Sequence, residues 1–230
     1  MVEVSSGRYT STLLIGLYYM SFLTQLGANV MLLVTNIRNR NWIGISGETQ
    51  ILYAIAFMLQ CLSLEGQYDH YFRKYSNFVT MVMTCSNALL SYVKCNPSQS
   101  KNNKQNQLTL LLILSVAMGM HSIWGRSDVY WIFSIYLEAV AIIPQLYICL
   151  KAKKIENPVF YYIVLLALYK TLYVTFEMSF LYNYGFVLDV ISVAAGINQL
   201  FFYSAFFCLK KCENNEGIYR DLGILKEEQP

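Results

Sequence analysis

The segment Trp131–Leu146, WIFSIYLEAVAIIPQL, decides how this chain is read. It is an apolar, helix-length run with one carboxylate, Glu138, near its middle and Pro144-Gln145 near its end. A charge at membrane depth is costly unless it is paired or faces a wet cavity. Glu138 is therefore a candidate functional residue, and the rest of the chain has to supply what satisfies it.

Composition points to lipid as the surrounding solvent. Of 230 residues, 56% are apolar and only 13% charged, and mean hydropathy is +0.38. A soluble domain is about a quarter charged. The net charge of +3 comes with no basic stripe interleaved with aromatics, which argues against nucleic acid as a partner. The six cysteines show no C-x-x-C spacing and are not grouped with His70 or His121, so neither a metal nor a disulfide framework is expected. The chain carries no phosphate-binding glycine loop, nucleophile elbow or H-E-x-x-H, so no enzyme activity and no cofactor are expected.

A membrane span needs about 20 mostly apolar residues. The apolar runs predict an all-α membrane protein of seven spans, at residues 11–35, 49–64, 75–93, 108–124, 129–150, 158–176 and 185–209. The first, from Leu13 to Val34, is too long for a cleaved secretory peptide and reads as a retained signal anchor. Residues 1–212 form the transmembrane domain in this reading, and 213–230 a polar, disordered cytosolic tail. The polar stretch Asn96–Gln107 separates two sets of three helices, with the fourth span as connector, similar to the sugar-transporter or PQ-loop architecture.

Basic residues orient the spans. The first, third and fifth loops and the tail hold twelve lysines and arginines, among them Lys151, Lys153, Lys154, Lys210 and Lys211. The N-terminus and the other loops hold four: Arg8, Arg73, Lys74 and Arg126. The N-terminus is thus expected in the lumen and the C-terminus in the cytosol.

One cation, Lys170, lies inside a span. Glu138 lies roughly 13 Å below the lumenal start of the fifth span and Lys170 roughly 9 Å below the lumenal end of the sixth, at 1.5 Å of rise per residue. Each ion alone is costly and together they neutralise each other, so a Glu138–Lys170 pair is expected. Gln25, Gln60, Tyr169, Tyr173 and Gln199 sit at similar levels, with Asp128 and Trp131 at the lumenal start of the fifth span. The result is a polar pocket that would suit either a receptor or a carrier.

At these residues the chain resembles the K-D-E-L receptors, or ER lumen protein-retaining receptors. The likeness is densest at Tyr130–Leu146, YWIFSIYLEAVAIIPQL. Gly44-Ile45-Ser46-Gly47 with Gln50 and Leu52, Tyr169-Lys170-Thr171-Leu172-Tyr173, and Val193-Ala194-Ala195-Gly196 with Gln199 are similar to three further family motifs. The resemblance implies a receptor of the endoplasmic reticulum and Golgi membranes. It would bind C-terminal tetrapeptides of escaped lumenal proteins in the acidic Golgi and return them by COPI-coated vesicles.

By the same resemblance Asp128 would face the basic residue of the tetrapeptide. Trp131, Tyr169 and Tyr173 would line or bond it, and Glu138 would pair with the cation at 170. For such a receptor the cytosolic response would be exposure of a lysine patch, with Lys210 and Lys211 as the sorting candidates. Lys170 stands for the family's arginine, and Gln60 and Ser63 stand where the family has arginine and aspartate, so an amide would have to donate to the cargo carboxylate. Two other readings stand beside this one: a small-solute carrier, and a receptor paralogue without cargo binding.

Overall fold

The computed structural model describes residues 2–38, 45–63, 71–94, 129–152, 155, 157–184 and 190–221. The fourth span, the linker 96–107 and Asp128 lie outside the described residues. Among those described, all regular structure is α-helical: α1 (Val2–Arg38), α2 (Gly47–Ser63), α3 (Tyr71–Lys94), α4 (Val129–Ala141), α5 (Ile143–Lys151), α6 (Asn157–Tyr184) and α7 (Val190–Asp221).

The helices bury polar side chains and expose apolar ones, the reverse of a water-soluble domain. On α3 the inward stripe is Ser76, Thr80, Thr84, Asn87 and Ser91, while Phe78, Val82 and Leu89 face outward. On α1 the inward stripe includes Ser21, Gln25, Asn29 and Asn36, with Leu13, Met20, Leu23, Val30 and Val34 outside. Lipid tails are as apolar as leucine, so outward leucines cost nothing there, and inward polar groups bond helix to helix. Asn87 does this: its Nδ2 donates to the Asn29 carbonyl at 3.1 Å, and it accepts from Asn36 Nδ2 at 3.3 Å.

Among the described residues, four helical stretches are long and apolar enough to cross a membrane: Leu13–Arg38, Tyr130–Lys151, Asn157–Asn183 and Val190–Lys211. The 17-residue α2 is shorter than these, and α3 carries the polar stripe that lowers its hydropathy.

Among the described residues α3 packs on both α1 and α2, which makes one set, and α7 packs on both α4 and α6, which makes a second. The two sets join along α1 with α6 and along α2 with α4. The core runs along these seams, through Ala28, Leu32, Ala56, Phe57, Leu137, Ile142, Tyr162, Ile163 and Phe206. At Gly196 a side chain would be in the way, because a β-carbon there would sit 2.7 Å from Val174 Cγ2 on α6.

Three sequence expectations shift. The segment expected as one fifth span is broken at Ile142 into α4 and α5, because Pro144 has no N–H to donate and its ring crowds the preceding turn. The sixth helix runs to Tyr184, eight residues beyond the expected end at Phe176. The last helix continues to Asp221, through the first part of what was expected to be a disordered tail. Lengthening an existing helix adds one hydrogen bond for each residue fixed, while starting one is costly, so polar residues can follow an apolar span as helix.

Candidate functional site

The site is assembled from two stripes of i, i+3, i+7 spacing, which a helix places on one face. On α4 these are Trp131, Ser134 and Glu138; on α6 they are Lys170, Tyr173 and Glu177. Leu137 and Ala139 beside Glu138 are 1% and 2% exposed, so the carboxylate is surrounded by packed apolar groups.

The ion pair expected from matched depths is present: Lys170 Nζ lies 2.6 Å from Glu138 Oε1. Tyr169 donates its hydroxyl to the same oxygen at 3.4 Å. The other oxygen, Oε2, accepts from Gln60 Nε2 at 3.1 Å. Three helices, α2, α4 and α6, therefore meet on one carboxylate. The ammonium also lies 4.8 Å from the ring centre of Tyr169 and 5.7 Å from that of Tyr173, where the ring faces favour a cation.

Asp128 lies outside the described residues, and each of the other residues singled out from sequence has a place. Trp131 is half-buried and packs against Ile135, Ala139 and Ala195. Ser63 donates to the Gln60 carbonyl at 3.1 Å, within its own helix. Tyr173 donates to Glu177 at 3.3 Å. Lys210 donates to the Ala152 carbonyl at 2.9 Å, where it closes the end of α5, and Lys211 is exposed. The structure brings together Glu138, Lys170, Tyr169, Tyr173 and Gln60, and leaves Trp131 and Ser63 at its margin.

Sequence reasoning missed Glu177, which is 2% exposed on α6. Ending the sixth span at Phe176 put this carboxylate outside the membrane. Met178, Phe180 and Leu181 continue the apolar pattern beyond it and were the available signal. Among the described residues the buried charged groups are Glu138, Lys170 and Glu177. No cluster of histidine, cysteine and carboxylate able to hold a metal occurs among the residues described.

A layer of amides and phenols lies below the ion pair. Gln199 Nε2 donates to Tyr53 at 3.3 Å and to Tyr203 at 3.4 Å. Gln50 Nε2 donates to Tyr162 at 3.1 Å. Gln145, beside the proline break, accepts from the Ser46 backbone N–H at 2.7 Å, and Ser46 Oγ in turn accepts from Thr49 N at 3.3 Å to cap α2. Between this layer and Glu138 is a small chamber of about 10 Å³, lined by Gln25, Asn29, Tyr53, Thr84, Glu138, Tyr162, Tyr169 and Gln199 among others.

A helical body with an apolar exterior and an interior in which polar side chains and an ion pair are buried among apolar ones defines a class: helical membrane proteins that keep their chemistry inside the bundle. Within that class the chain belongs to the ER lumen protein retaining receptor family, whose model matches residues 41–180. It is 30% identical over 189 residues to ER lumen protein-retaining receptor 2 of Homo sapiens, covering 81% of this chain and 89% of that protein. To the ER lumen protein-retaining receptor of Caenorhabditis briggsae it is 32% identical over 184 residues, covering 79% and 86%. As a member of this family with apolar helices of spanning length, it is a membrane protein of the ER and Golgi system.

Proposed function

We propose that this protein is a non-enzymatic sorting receptor. It binds C-terminal retention tetrapeptides of the K-D-E-L or H-D-E-L type on lumenal proteins in the Golgi and returns them to the ER in COPI-coated vesicles. Family membership supports this reading, and one observation carries the mechanism: the Glu138 carboxylate holds both Lys170 and Gln60. In this reading the chain spans the membrane seven times in two three-helix sets, with a lumenal N-terminus and a cytosolic C-terminus.

The mechanism is an exchange of carboxylates. An incoming peptide carboxylate competes with Glu138 for the Lys170 ammonium and the Gln60 amide. Protonation of pocket groups is the trigger in this reading, so acid favours capture and neutral pH favours release. Tyr169 and Tyr173 keep the lysine in place through their ring faces. Trp131 and Asp128 contact the upstream residues of the tetrapeptide, and Ser63 lies one turn from Gln60 on the rim. On the cytosolic side, Lys210 and Lys211 are the coat-binding candidates, with Lys210 closing α5 until the bundle rearranges.

The test is retention of purified protein on immobilised C-terminal tetrapeptides. Capture at about pH 5.5 and release at about pH 7, the interval in which such switches operate, is the expected result.

A small-solute carrier is the second reading, favoured by the mutual pairing of the two helix sets around a central polar chamber. No peptide retention at either pH, together with solute uptake by liposomes containing the protein, would establish the carrier. Failure of both assays would leave a receptor paralogue without cargo binding.

A further inference from the structure

The chamber beneath Glu138 contains a group that the ion pair and the proposed function leave unexplained. Gln199 on α7 is 1% exposed. Its amide nitrogen is spent on the phenols of Tyr53 and Tyr203. Its amide oxygen, Oε1, is fully buried and has no hydrogen-bond partner among the described residues. A buried acceptor without a donor loses its hydration for nothing in return, a cost of about 1–3 kcal/mol in general, and such groups call for a physical explanation.

The chamber supplies one. Asn29 of α1, Tyr53 of α2, Thr84 of α3, Glu138 of α4, Tyr162 of α6 and Gln199 of α7 all line it, so six helices converge on a space of about 10 Å³. That is room for about one water molecule, and a buried water needs two to four polar partners. The walls offer them: an amide oxygen, phenols, a threonine hydroxyl and the carboxylate level of the ion pair.

We propose that this chamber is a binding site for a single ordered water, which donates a hydrogen bond to Gln199 Oε1 and joins α7 to the helices around it. Charge selects water over a cation of similar size. Glu138 is already neutralised by Lys170 at 2.6 Å, and no second carboxylate lines the chamber among the described residues. A sodium ion would therefore add a net positive charge to a low-dielectric interior, which is strongly unfavourable. A water also serves either orientation of the Gln199 amide, because it can donate to the oxygen or accept from the nitrogen, whereas a cation can only coordinate the oxygen. The site completes the hydrogen bonding where the two helix sets meet and is independent of cargo.

The experiment is a structure of the full chain in a lipid nanodisc at a resolution that shows ordered waters. It is combined with thermal stability in sodium chloride, potassium chloride and choline chloride at equal ionic strength. One peak within hydrogen-bond distance of Gln199 Oε1, with the same melting temperature in all three salts, is expected. Gln199→Met should lose the peak and melt at a lower temperature. A dry chamber in the unaltered protein would overturn the proposal. So would a melting temperature that rises with sodium alone, which would make the site a cation site. If Gln199→Met does not fold, the density in the unaltered chain decides.

Discussion

Lys170 Nζ stands 2.6 Å from Glu138 Oε1, and this contact joins α6 to α4 across the interior of the second helix set. Because Gln60 of α2 holds the other carboxylate oxygen, the same glutamate also ties the second set to the first. It is a junction as well as a candidate site.

Removing one partner of the pair should cost more than removing both. Glu138→Gln strands a buried ammonium, and breaking a buried pair this way costs about 3–5 kcal/mol. Glu138→Gln with Lys170→Met leaves no uncompensated charge and should recover a large part of that loss. Thermal unfolding in detergent or nanodiscs checks this as a double-mutant cycle. Additive losses would mean that the two side chains do not interact.

Glu138→Gln should raise peptide capture at about pH 7. The amide carries no charge, so no carboxylate within the site competes with the peptide for Lys170 and Gln60. Retention on immobilised tetrapeptides, compared between variant and parent, checks this. Capture no greater than the parent's would mean that Glu138 does not compete with cargo.

Gly196→Ala should loosen the α6–α7 seam. The added β-carbon would meet Val174 Cγ2 at 2.7 Å, and the branched valine has little freedom to turn away within a helix. Overpacking of this kind costs about 1–3 kcal/mol. Val174→Ala introduced with it should restore most of the melting temperature, since the obstructing methyl is then gone.

Gln145→Leu should destabilise the start of α2. It leaves the Ser46 N–H, which donates to Gln145 Oε1 at 2.7 Å, without this acceptor. A buried donor left unmet costs about 1–3 kcal/mol. Hydrogen exchange at residues 46–50 should quicken well before exchange in α6 changes. Uniform quickening across the bundle would show that Gln145 supports the whole fold and not this helix end.

Much of this protein was legible in its sequence. Apolar runs show as helices without any tertiary information, because lipid offers no partner for unpaired backbone groups and the helix satisfies its own. Glu138 and Lys170 were identifiable as partners for a related reason: two opposite charges at matched depth have few other ways to be neutralised. The motifs around them were sufficient to place the family. Other features depended on contacts distant in the chain. Gln60 read as a ligand-facing amide, yet it donates to Glu138, 78 positions away. Glu177 was lost because the end of a span cannot be fixed from hydropathy when one charge interrupts an apolar run. The break at Ile142 needed only Pro144, but the use of Gln145 to hold Ser46, 99 positions earlier, needed the fold. The sequence alone set that the apolar runs are helical, that Glu138 and Lys170 are buried and which family the chain belongs to, because these depend on local composition and on the low dielectric of the membrane. Only the tertiary structure decided which amide meets which carboxylate and that six helices line one chamber of about 10 Å³, because those outcomes depend on how the helices cross.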